Sequence, residues 1–346
     1  MILAADVGGT KTHLARYEPG GDVREPVAER KLSSRGHRSL EAMVSEFLPS
    51  GARVTHAAIG VAGPVVGGRV DTTNLAWDVD RERLSELLGG APVTLLNDLE
   101  ATAWGLEQLA STDLELLHPG QERRGNRALI AAGTGLGEAF LLWDGEGWRP
   151  SASEGGHTDF GPRDAFEDEL LAWLRAKYGR VSYERILSGP GLADLYRFLA
   201  DTGRGAASPE VAARFAEADD PAAVVTQAAV EGRCERARLA IERFVEIYGA
   251  EAGNLALKAL ALGGVYVGGG IAPRLREFLR AGSFARAFHT KGRLSPVLER
   301  MPVHLVLDAR TALWGAASVA LREAGRDAGP AANASGTLAA SRKASS

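Results

Sequence analysis

The sequence predicts an α/β protein with two domains. Strand-like segments alternate with helical ones along most of the chain, which implies a sheet that is at least partly parallel. The strand–glycine turn–strand pattern at the start of the chain begins again near residue 128, and this weak internal repeat suggests two related α/β halves. At 346 residues the chain also exceeds the size of one typical hydrophobic core.

The first half opens with a predicted hairpin, in which ILAADV and THLARYE are strands and GGTKT is the turn between them. Helical periodicity follows in SLEAMVSEFL, and THAAIGVAG is the next strand. VTLLND is a further strand that leads into the helix LEATAWGLEQL. The spacing of Leu99, Ala103, Leu106 and Ala110 predicts one apolar face for that helix.

The second half repeats the hairpin pattern in ALIAAGTGLGEAFLLW and then becomes mostly helical from about 163 to 261. GGVYVGGGIAPRLREFL reads as strand, turn and helix, PVHLVLD as a last strand, and TALWGAASVALREA as a closing helix that packs onto the first domain. We expect a small domain of residues 1–109 plus 300–325 and a large domain of residues 110–299. Residues 326–346, rich in Ala and Ser, are expected to be a disordered tail.

Composition excludes several classes of function. A net charge of -4 and a pI near 6.0 provide no basic field for nucleic acid or anionic membranes. The single cysteine, Cys234, cannot form a disulfide framework or a cysteine-rich zinc site, and it indicates a reducing compartment. The N-terminal apolar run lacks a positive region and is interrupted by Asp6, so we expect no signal peptide and a cytoplasmic protein.

Three glycine clusters occur at the ends of predicted strands: Gly8-Gly9-Thr10, Gly133-Thr134-Gly135-Leu136-Gly137 and Gly268-Gly269-Gly270. Glycine allows the backbone to approach a ligand closely, so that its N–H groups can point at phosphate oxygens. A single cluster of this kind is more often a plain turn. Three in one chain favour a nucleotide site.

The common nucleotide motifs are absent from the sequence. It contains no GxxxxGK[ST], which excludes a P-loop. Pro273 stands where a dinucleotide turn in VYVGGGIAPRL would need its third glycine, and GTGLG is followed by a strand rather than a helix. What remains is a phosphate site built from two hairpins, with the third turn and its helix for the nucleoside.

Asn97 and Asp98 lie where a predicted strand runs into a helix. Either residue could cap the helix, and Glu100 would complete a box-like arrangement with Asn97. The same amide and carboxylate could equally belong to a reaction site. The local sequence leaves both interpretations open.

Several blocks in order give the chain a more specific resemblance. DVGGTKTHLA, the TNLAW run, LLNDLEATAWGL, GTGLG, EGGHTDFGP, RILSGPGLADLYR and GGVYVGGGIAPR together resemble the bacterial glucokinase family, from Ile2 to about residue 320. The resemblance implies the two-domain actin-like ATPase (ribonuclease H-like) fold, with the active site in a cleft between the domains. It also implies ATP-dependent phosphorylation of glucose with magnesium, and a homodimer is what the family suggests.

The resemblance further implies roles for individual residues. Asp98 would be the catalytic base, and Asp6 would contact the magnesium ion through a water molecule of its coordination shell. The residues implied to bind the sugar hydroxyls are Asn97, Asp98, Glu154, His157 and Glu184. Those implied to bind the nucleotide are Asp6, Gly8, Gly9, Thr10, Lys11, Gly133, Thr134, Gly135, Gly137, Gly268, Gly269 and Gly270.

The chemistry is consistent with this set, because carboxylates and an amide select sugar hydroxyls and phosphoryl transfer needs a proton acceptor. Simpler interpretations exist for some members. Glu154 and His157 could belong to a structural loop, Glu184 could be an ordinary first-turn acid, and Lys11 a solvated turn residue. Trp77 and Trp104 are expected to pack rather than to stack on sugar.

One residue departs from the family pattern. Glu138 follows GTGLG where the family usually has a small apolar residue. A carboxylate there would be expected to weaken ATP binding or to reposition the magnesium.

Three alternatives remain beside a glucokinase. A kinase of the same fold could act on another hexose or on an N-acetylhexosamine, although the cysteine-rich zinc motif of the repressor and kinase group is absent. A sugar-sensing regulator would need a DNA-binding segment ahead of the first phosphate loop. That loop begins at residue 6, so we expect no such segment. If the protein were an actin- or Hsp70-like ATPase, the EGGH block would have no function.

Overall fold

The computed structural model describes residues 1–72, 75–121 and 123–327. The described chain divides into two compact units: unit 1 contains residues 1–110 and 310–327, and unit 2 contains residues 111–309. Residues 300–309 were expected in the small domain. They group with unit 2 because the strand at Val303–Val306 pairs in that unit's sheet. The expected tail lies outside the described residues from 328, as do Thr73 and Asn74 of the TNLAW run.

Unit 1 is built on a five-stranded sheet with the order β3-β2-β1-β4-β7. Its strands and the small β5–β6 pair are β1 (Ile2–Val7), β2 (Lys11–Tyr17), β3 (Ala28–Ser33), β4 (His56–Val61), β5 (Arg69–Val70), β6 (Val79–Asp80) and β7 (Val93–Asn97). The β1–β2 and β2–β3 pairs are antiparallel, whereas β1, β4 and β7 are parallel. Parallel strands end at the same edge of a sheet, so Asp6 near the end of β1 and Asn97 at the end of β7 lie on one edge.

The helices of the first part of unit 1 are α1 (Leu40–Phe47), α2 (Arg81–Leu87) and α3 (Asp98–Gly105). Ser39 caps α1 and Asp80 caps α2, in each case through a side-chain oxygen that accepts a backbone N–H. The apolar residues of α1 pack with β1 and β4 in a core on one face of the sheet.

Unit 2 contains a six-stranded sheet with the order β11-β10-β9-β12-β13-β8. Its strands are β8 (Leu114–His118), β9 (Arg127–Ala132), β10 (Leu136–Trp143), β11 (Trp148–Ser153), β12 (Val265–Gly268) and β13 (Val303–Val306). The β9–β10 and β10–β11 pairs are antiparallel, and β9, β12 and β13 are parallel. Apart from β8, this order and these directions match those of unit 1, so the repeat seen in the sequence corresponds to two sheets of like topology.

Unit 2 also holds most of the helices. They are α4 (Ala165–Tyr178), α5 (Gly189–Asp201), α6 (Pro209–Glu217), α7 (Pro221–Val230), α8 (Glu235–Ala259), α9 (Arg276–Arg280), α10 (Ser283–His289) and α11 (Ser295–Leu298). The 25-residue helix α8 lies at the centre of the core and approaches α10 closely. Gly249 and Gly253 make this approach feasible, because a Cβ at either position would meet the carbonyl oxygen of Phe284 or Phe288.

The last helix, α12 (Thr311–Asp327), belongs to unit 1, as the sequence predicted, and crosses α3. Gly105 packs against the backbone of Thr311, and Gly315 packs against the carbonyl oxygen of Ala101. Of the predicted apolar face, Ala103 and Leu106 are buried, and α3 meets α12 through small residues such as Gly105. Leu99 is only half-buried, and Ala110 is exposed because α3 ends at Gly105 and Ala110 lies beyond it. None of the helices among the described residues combines the length and apolar character needed to span a bilayer.

Candidate active site

The first glycine turn joins β1 to β2 and is tied to β3. The Gly8 N–H donates to the Lys11 carbonyl oxygen at 3.1 Å, which closes the turn. The Ser34 hydroxyl, fully buried, donates to the Gly8 carbonyl oxygen at 2.7 Å, and the Ser34 N–H donates to the Thr10 carbonyl oxygen at 3.0 Å. Ser34, which was not among the predicted site residues, directly follows β3 and anchors the turn from there. Thr10 and Lys11 themselves are exposed.

Two carboxylates of unit 1 influence each other electrostatically. Asp6 lies near the end of β1, and Asp98 follows β7 directly at the start of α3. Burial, and then the negative charge of Asp98, raises the pKa of the Asp6 carboxyl to about 7, while Lys31 acts in the opposite direction. Two carboxylates that repel each other in this way favour a shared proton or a bound cation between them.

Asn97 is held by two hydrogen bonds within unit 1. Its side-chain oxygen accepts the Leu99 N–H at 2.9 Å, which caps α3, and its amide nitrogen donates to the Gly63 carbonyl oxygen at 3.0 Å. Asn97 thus ties the end of β7 to the loop after β4, where Gly63 has a φ of 127°. Glu100 remains with the helix: burial raises the pKa of its carboxyl, while the Asn97 backbone bond lowers it. Asn97 can therefore cap α3 and belong to a binding site at the same time.

The second and third glycine turns lie together in unit 2. The second turn closes through the Gly133 N–H, which donates to the Gly135 carbonyl oxygen at 2.8 Å. In the third turn, Gly269 has a φ of 83° and packs against the backbone of Ala132, the residue before Gly133. A side chain at Gly269 would be strained and would also overlap that backbone. Gly133 and Gly270 have open space where a Cβ would lie.

Tyr248 on α8, which was not among the predicted site residues, supports both turns from beneath. Its hydroxyl accepts the Ala132 N–H at 3.1 Å and lies within hydrogen-bonding distance of the Ile130 and Gly268 carbonyl oxygens. The side chain is fully buried, so these bonds join the ends of β9 and β12 without competition from water.

The residues predicted to bind sugar in unit 2 form one cluster. His157 Nε2 lies 3.8 Å from Glu154 Oε2, and His157 Nδ1 lies 3.7 Å from Glu184 Oε1. The other oxygen of Glu184 accepts the Leu136 N–H at 3.1 Å, so this residue also contacts the second glycine turn. Glu154 and His157 are exposed, whereas Glu184 is 28% exposed. The cluster offers several directed acceptors and an imidazole to a hydroxylated ligand.

The EGGH turn packs directly on β10. Cβ atoms at Gly155 and Gly156 would overlap the Glu138 carboxylate and the Leu136 carbonyl oxygen respectively. Glu138 does not line the second glycine turn as expected. Its side chain is 1% exposed and points into the interior of unit 2, because β10 alternates its side chains between faces. Trp77 and Trp104 pack against the cores of unit 1, as predicted.

The residues of unit 1 fit a magnesium ion by their chemistry. Asp6 and Asp98 are hard oxygen donors whose mutual repulsion a cation would relieve. Within the described residues, no three His, Cys, Asp or Glu side chains form a metal cluster. Two carboxylates suffice for Mg²⁺, which keeps several waters and binds substrate phosphates instead of filling an all-protein cage.

Apart from β8, the two sheets have the same strand order, each with a glycine turn between its first two strands. This is the actin-like ATPase fold, and the class of protein is therefore the sugar kinases of that fold. A solved glucokinase from an Antarctic psychrotroph matches with a TM-score of 0.78 and 30% identity, covering 92% of this chain and 98% of the other. The fold is also shared with a ROK family glucokinase from Streptomyces griseus, solved with glucose and AMPPNP, at a TM-score of 0.61 and 22% identity, covering 93% and 99% of the two chains.

Sequence comparison narrows the class to a family. The glucokinase family model matches residues 3–323. The curated glucokinase of Trichormus variabilis is 38% identical over 339 residues, which cover 93% of this chain and 99% of the relative. The chain belongs to the glucokinase family.

Proposed function

We propose that this protein transfers the terminal phosphoryl group of ATP to the 6-hydroxyl of D-glucose, which yields glucose 6-phosphate and ADP. The observation that carries the proposal is the carboxylate pair of Asp6 and Asp98 on the edge where β1 and β7 end. Membership of the glucokinase family over residues 3–323 supports the same activity. The AMPPNP-bound solved relative supports ATP as the donor.

Asp98 is the proposed general base. It accepts the proton of the sugar hydroxyl as the new O–P bond forms, late in the reaction, because an alcohol is far less acidic than a carboxylic acid. Its position at the first residue of α3 fixes its backbone, since the Asn97 cap and the Gly63 bond hold the start of that helix. Asn97, Glu154, His157 and Glu184 are proposed to bind the sugar hydroxyls.

The glycine turns are proposed to bind the nucleotide. Gly8, Gly9, Thr10 and Lys11 form one phosphate loop, and Gly133, Thr134, Gly135 and Gly137 form the other. Gly268, Gly269 and Gly270 lie on the adenosine side. Asp6 would hold Mg²⁺, most directly through water, and the ion would neutralise charge that develops on the phosphates. We also propose a cytoplasmic location and a homodimer.

The experiment is an assay of ATP consumption with a panel of hexoses, for the wild type, Asp98→Asn and Glu100→Gln. Loss of the base should lower kcat by about 10²–10⁴-fold. Glu100→Gln is the matched control, because it changes a neighbouring carboxylate of the same helix turn and should leave kcat within about twofold. Chelation of magnesium should abolish turnover.

Two outcomes would contradict parts of this proposal. Equal turnover by the wild type and Asp98→Asn would exclude Asp98 as the base. A strong preference for mannose, fructose or N-acetylglucosamine over glucose would retain a kinase of this fold but exclude glucose as its substrate.

A further inference from the structure

Two buried carboxyl groups of unit 2 face each other. Glu138 lies on β10 directly after the second glycine turn and is 1% exposed, and Glu251 lies on α8 and is fully buried. Gly155 of the EGGH turn packs against the Glu138 carboxylate, since a Cβ there would overlap it. The pair therefore lies beneath the turn that carries two of the proposed sugar residues, Glu154 and His157.

The hydrogen-bond donors that the described residues offer this pair reach Glu251 rather than Glu138. Both oxygens of Glu138 and Oε1 of Glu251 have no hydrogen-bond donor among the described residues. Glu251 Oε2 accepts the Asn254 amide at 2.8 Å, and the Lys258 ammonium lies 3.6 Å from Glu251 Oε1. Two ionised carboxylates that face each other with only these donors would be strongly unfavourable, and one proton would complete the set as an O–H···O bond.

The surrounding charges do not remove the need for that proton. Lys258 lowers the proton affinity of Glu138, but burial, followed by the charge of Glu251, has the larger effect and raises its pKa to about 8. Lys291 is engaged elsewhere, since its ammonium donates to the Ala250 carbonyl oxygen at 2.9 Å and to Asn254 Oδ1 at 2.6 Å. The other ionisable groups that face the pair or its lysines are Tyr183, Tyr248, Arg163 and Glu167.

We infer that Glu138 and Glu251 share one proton and that Glu138 is a positioning residue, which holds the EGGH turn in its glucose-binding position on β10. This inference rests on the proposed function of that turn. When the shared proton is lost, the two carboxylates repel each other and Gly155, packed against Glu138, is displaced with the turn. Glucose binding then weakens, whereas the chemical step does not depend on the pair.

The test measures KM for glucose and kcat at pH 7 and pH 9 for the wild type, Glu138→Gln and Glu251→Gln. A group with a pKa of about 8 is ionised to about one tenth at pH 7 and about nine tenths at pH 9, so the wild-type KM should rise by up to about tenfold. Glutamine carries a permanent donor that does not titrate. Each variant should therefore keep a low KM at both pH values, with kcat following the same pH course as in the wild type.

Glu242→Gln is the matched control, because Glu242 lies on the same helix in an exposed ion pair with Arg238. It should show the wild-type rise in KM. A rise of equal size in Glu138→Gln would overturn the inference, and so would a high KM of that variant at pH 7. A wild-type rise that disappears when potassium or sodium is added would also overturn it, in favour of a cation held between the carboxylates.

A second readout does not depend on activity and so separates this inference from the proposed function. Glu138 keeps its proton in the folded state up to about pH 8, whereas an unfolded glutamate loses it near 4.5. The unfolded chain thus binds fewer protons between these values, and stability falls as the pH rises toward 8. The unliganded wild type should lose about 5 °C more than Glu138→Gln in Tm between pH 6 and pH 8.5. Equal losses would contradict the shared proton even if glucose is not the substrate.

Discussion

The Oε2 atom of Glu184 accepts the Leu136 N–H at 3.1 Å, so a residue proposed to bind sugar is bonded to the second glycine turn. The same carboxylate blocks any Cβ at Gly135 and lies 3.7 Å from His157 through its other oxygen. A single side chain therefore contacts both the proposed nucleotide loop and the proposed sugar cluster of unit 2. The two oxygens therefore have different partners: Oε2 contacts the glycine turn, and Oε1 lies near His157.

We predict different effects for two substitutions of Glu184. Glu184→Gln keeps an oxygen that can accept the Leu136 N–H but loses the charge near His157, so KM for glucose should rise while KM for ATP stays close to the wild-type value. Glu184→Ala also leaves the Leu136 N–H without its acceptor, which costs about 1 kcal/mol or about fivefold. Its KM should therefore rise for both substrates. Steady-state kinetics with each substrate varied would check this, and a rise in ATP KM for both variants would contradict it.

Ser34→Ala should weaken nucleotide binding through the first glycine turn. The substitution removes a buried hydroxyl that donates to the Gly8 carbonyl oxygen and also contacts the Thr12 hydroxyl at 2.9 Å. Losing a buried bond of this kind costs about 1–2 kcal/mol, and we expect a lower Tm together with a higher KM for ATP. The control is Ser33→Ala, because the exposed Ser33 hydroxyl accepts a local N–H from Gly36 and makes no other hydrogen bond with the described residues. Equal ATP KM values in the two variants would exclude an anchoring role.

Gly133→Ala should separate folding from nucleotide binding. A Cβ added at Gly133 would have no neighbouring atom within 4 Å, so the variant should melt within about 2 °C of the wild type. If this glycine approaches phosphate oxygens, the added methyl should raise KM for ATP by about tenfold or more. Gly147→Ala, at another open position, is the control for the substitution itself. An unchanged KM for ATP would remove Gly133 from the proposed loop.

Tyr248→Phe should destabilise the protein because it orphans a buried N–H. The lost hydroxyl accepts from Ala132 in the fully buried interior, and such a group without its partner costs about 1–3 kcal/mol. Tyr17→Phe is a useful contrast, since the buried Tyr17 hydroxyl has no partner among the residues that the structure describes. Thermal denaturation should show a clear loss for Tyr248→Phe and no loss for Tyr17→Phe. Equal Tm values would contradict the proposed support of the two turns.

The fold class and the glycine turns could be predicted from local sequence. Strand and helix periodicities are properties of adjacent residues, and the restart near residue 128 matches the repeated order of strands in the two sheets. The short β5–β6 pair was not predicted, and neither were the longer strands β3, β8 and β11. The longer strands' exposed and half-buried residues have no clear alternation, because they lie at or near sheet edges where one face meets solvent.

The buried face of α3 shows why periodicity alone was insufficient. Its pattern predicted a buried face of Leu99, Ala103, Leu106 and Ala110, of which Ala103 and Leu106 are buried and the other two are not. The pattern did not predict the close crossing with α12 at Gly105. A helix buries the face that its partner approaches, and that partner comes from residues more than 200 positions later in the chain. The local sequence of α3 therefore cannot predict which face α12 will cover.

By itself, the sequence determined the α/β class, the three glycine turns, the family and the pair of Asn97 and Asp98 at the end of a strand. Only the tertiary structure decided which side chains support them: Ser34 behind the first turn, Tyr248 beneath the other two, and Glu138 turned inward against Glu251. Glycine turns follow from backbone geometry that is encoded residue by residue. Contacts such as that of Tyr248 with Ala132, separated by 116 positions, exist only once strand order and helix packing have brought them together.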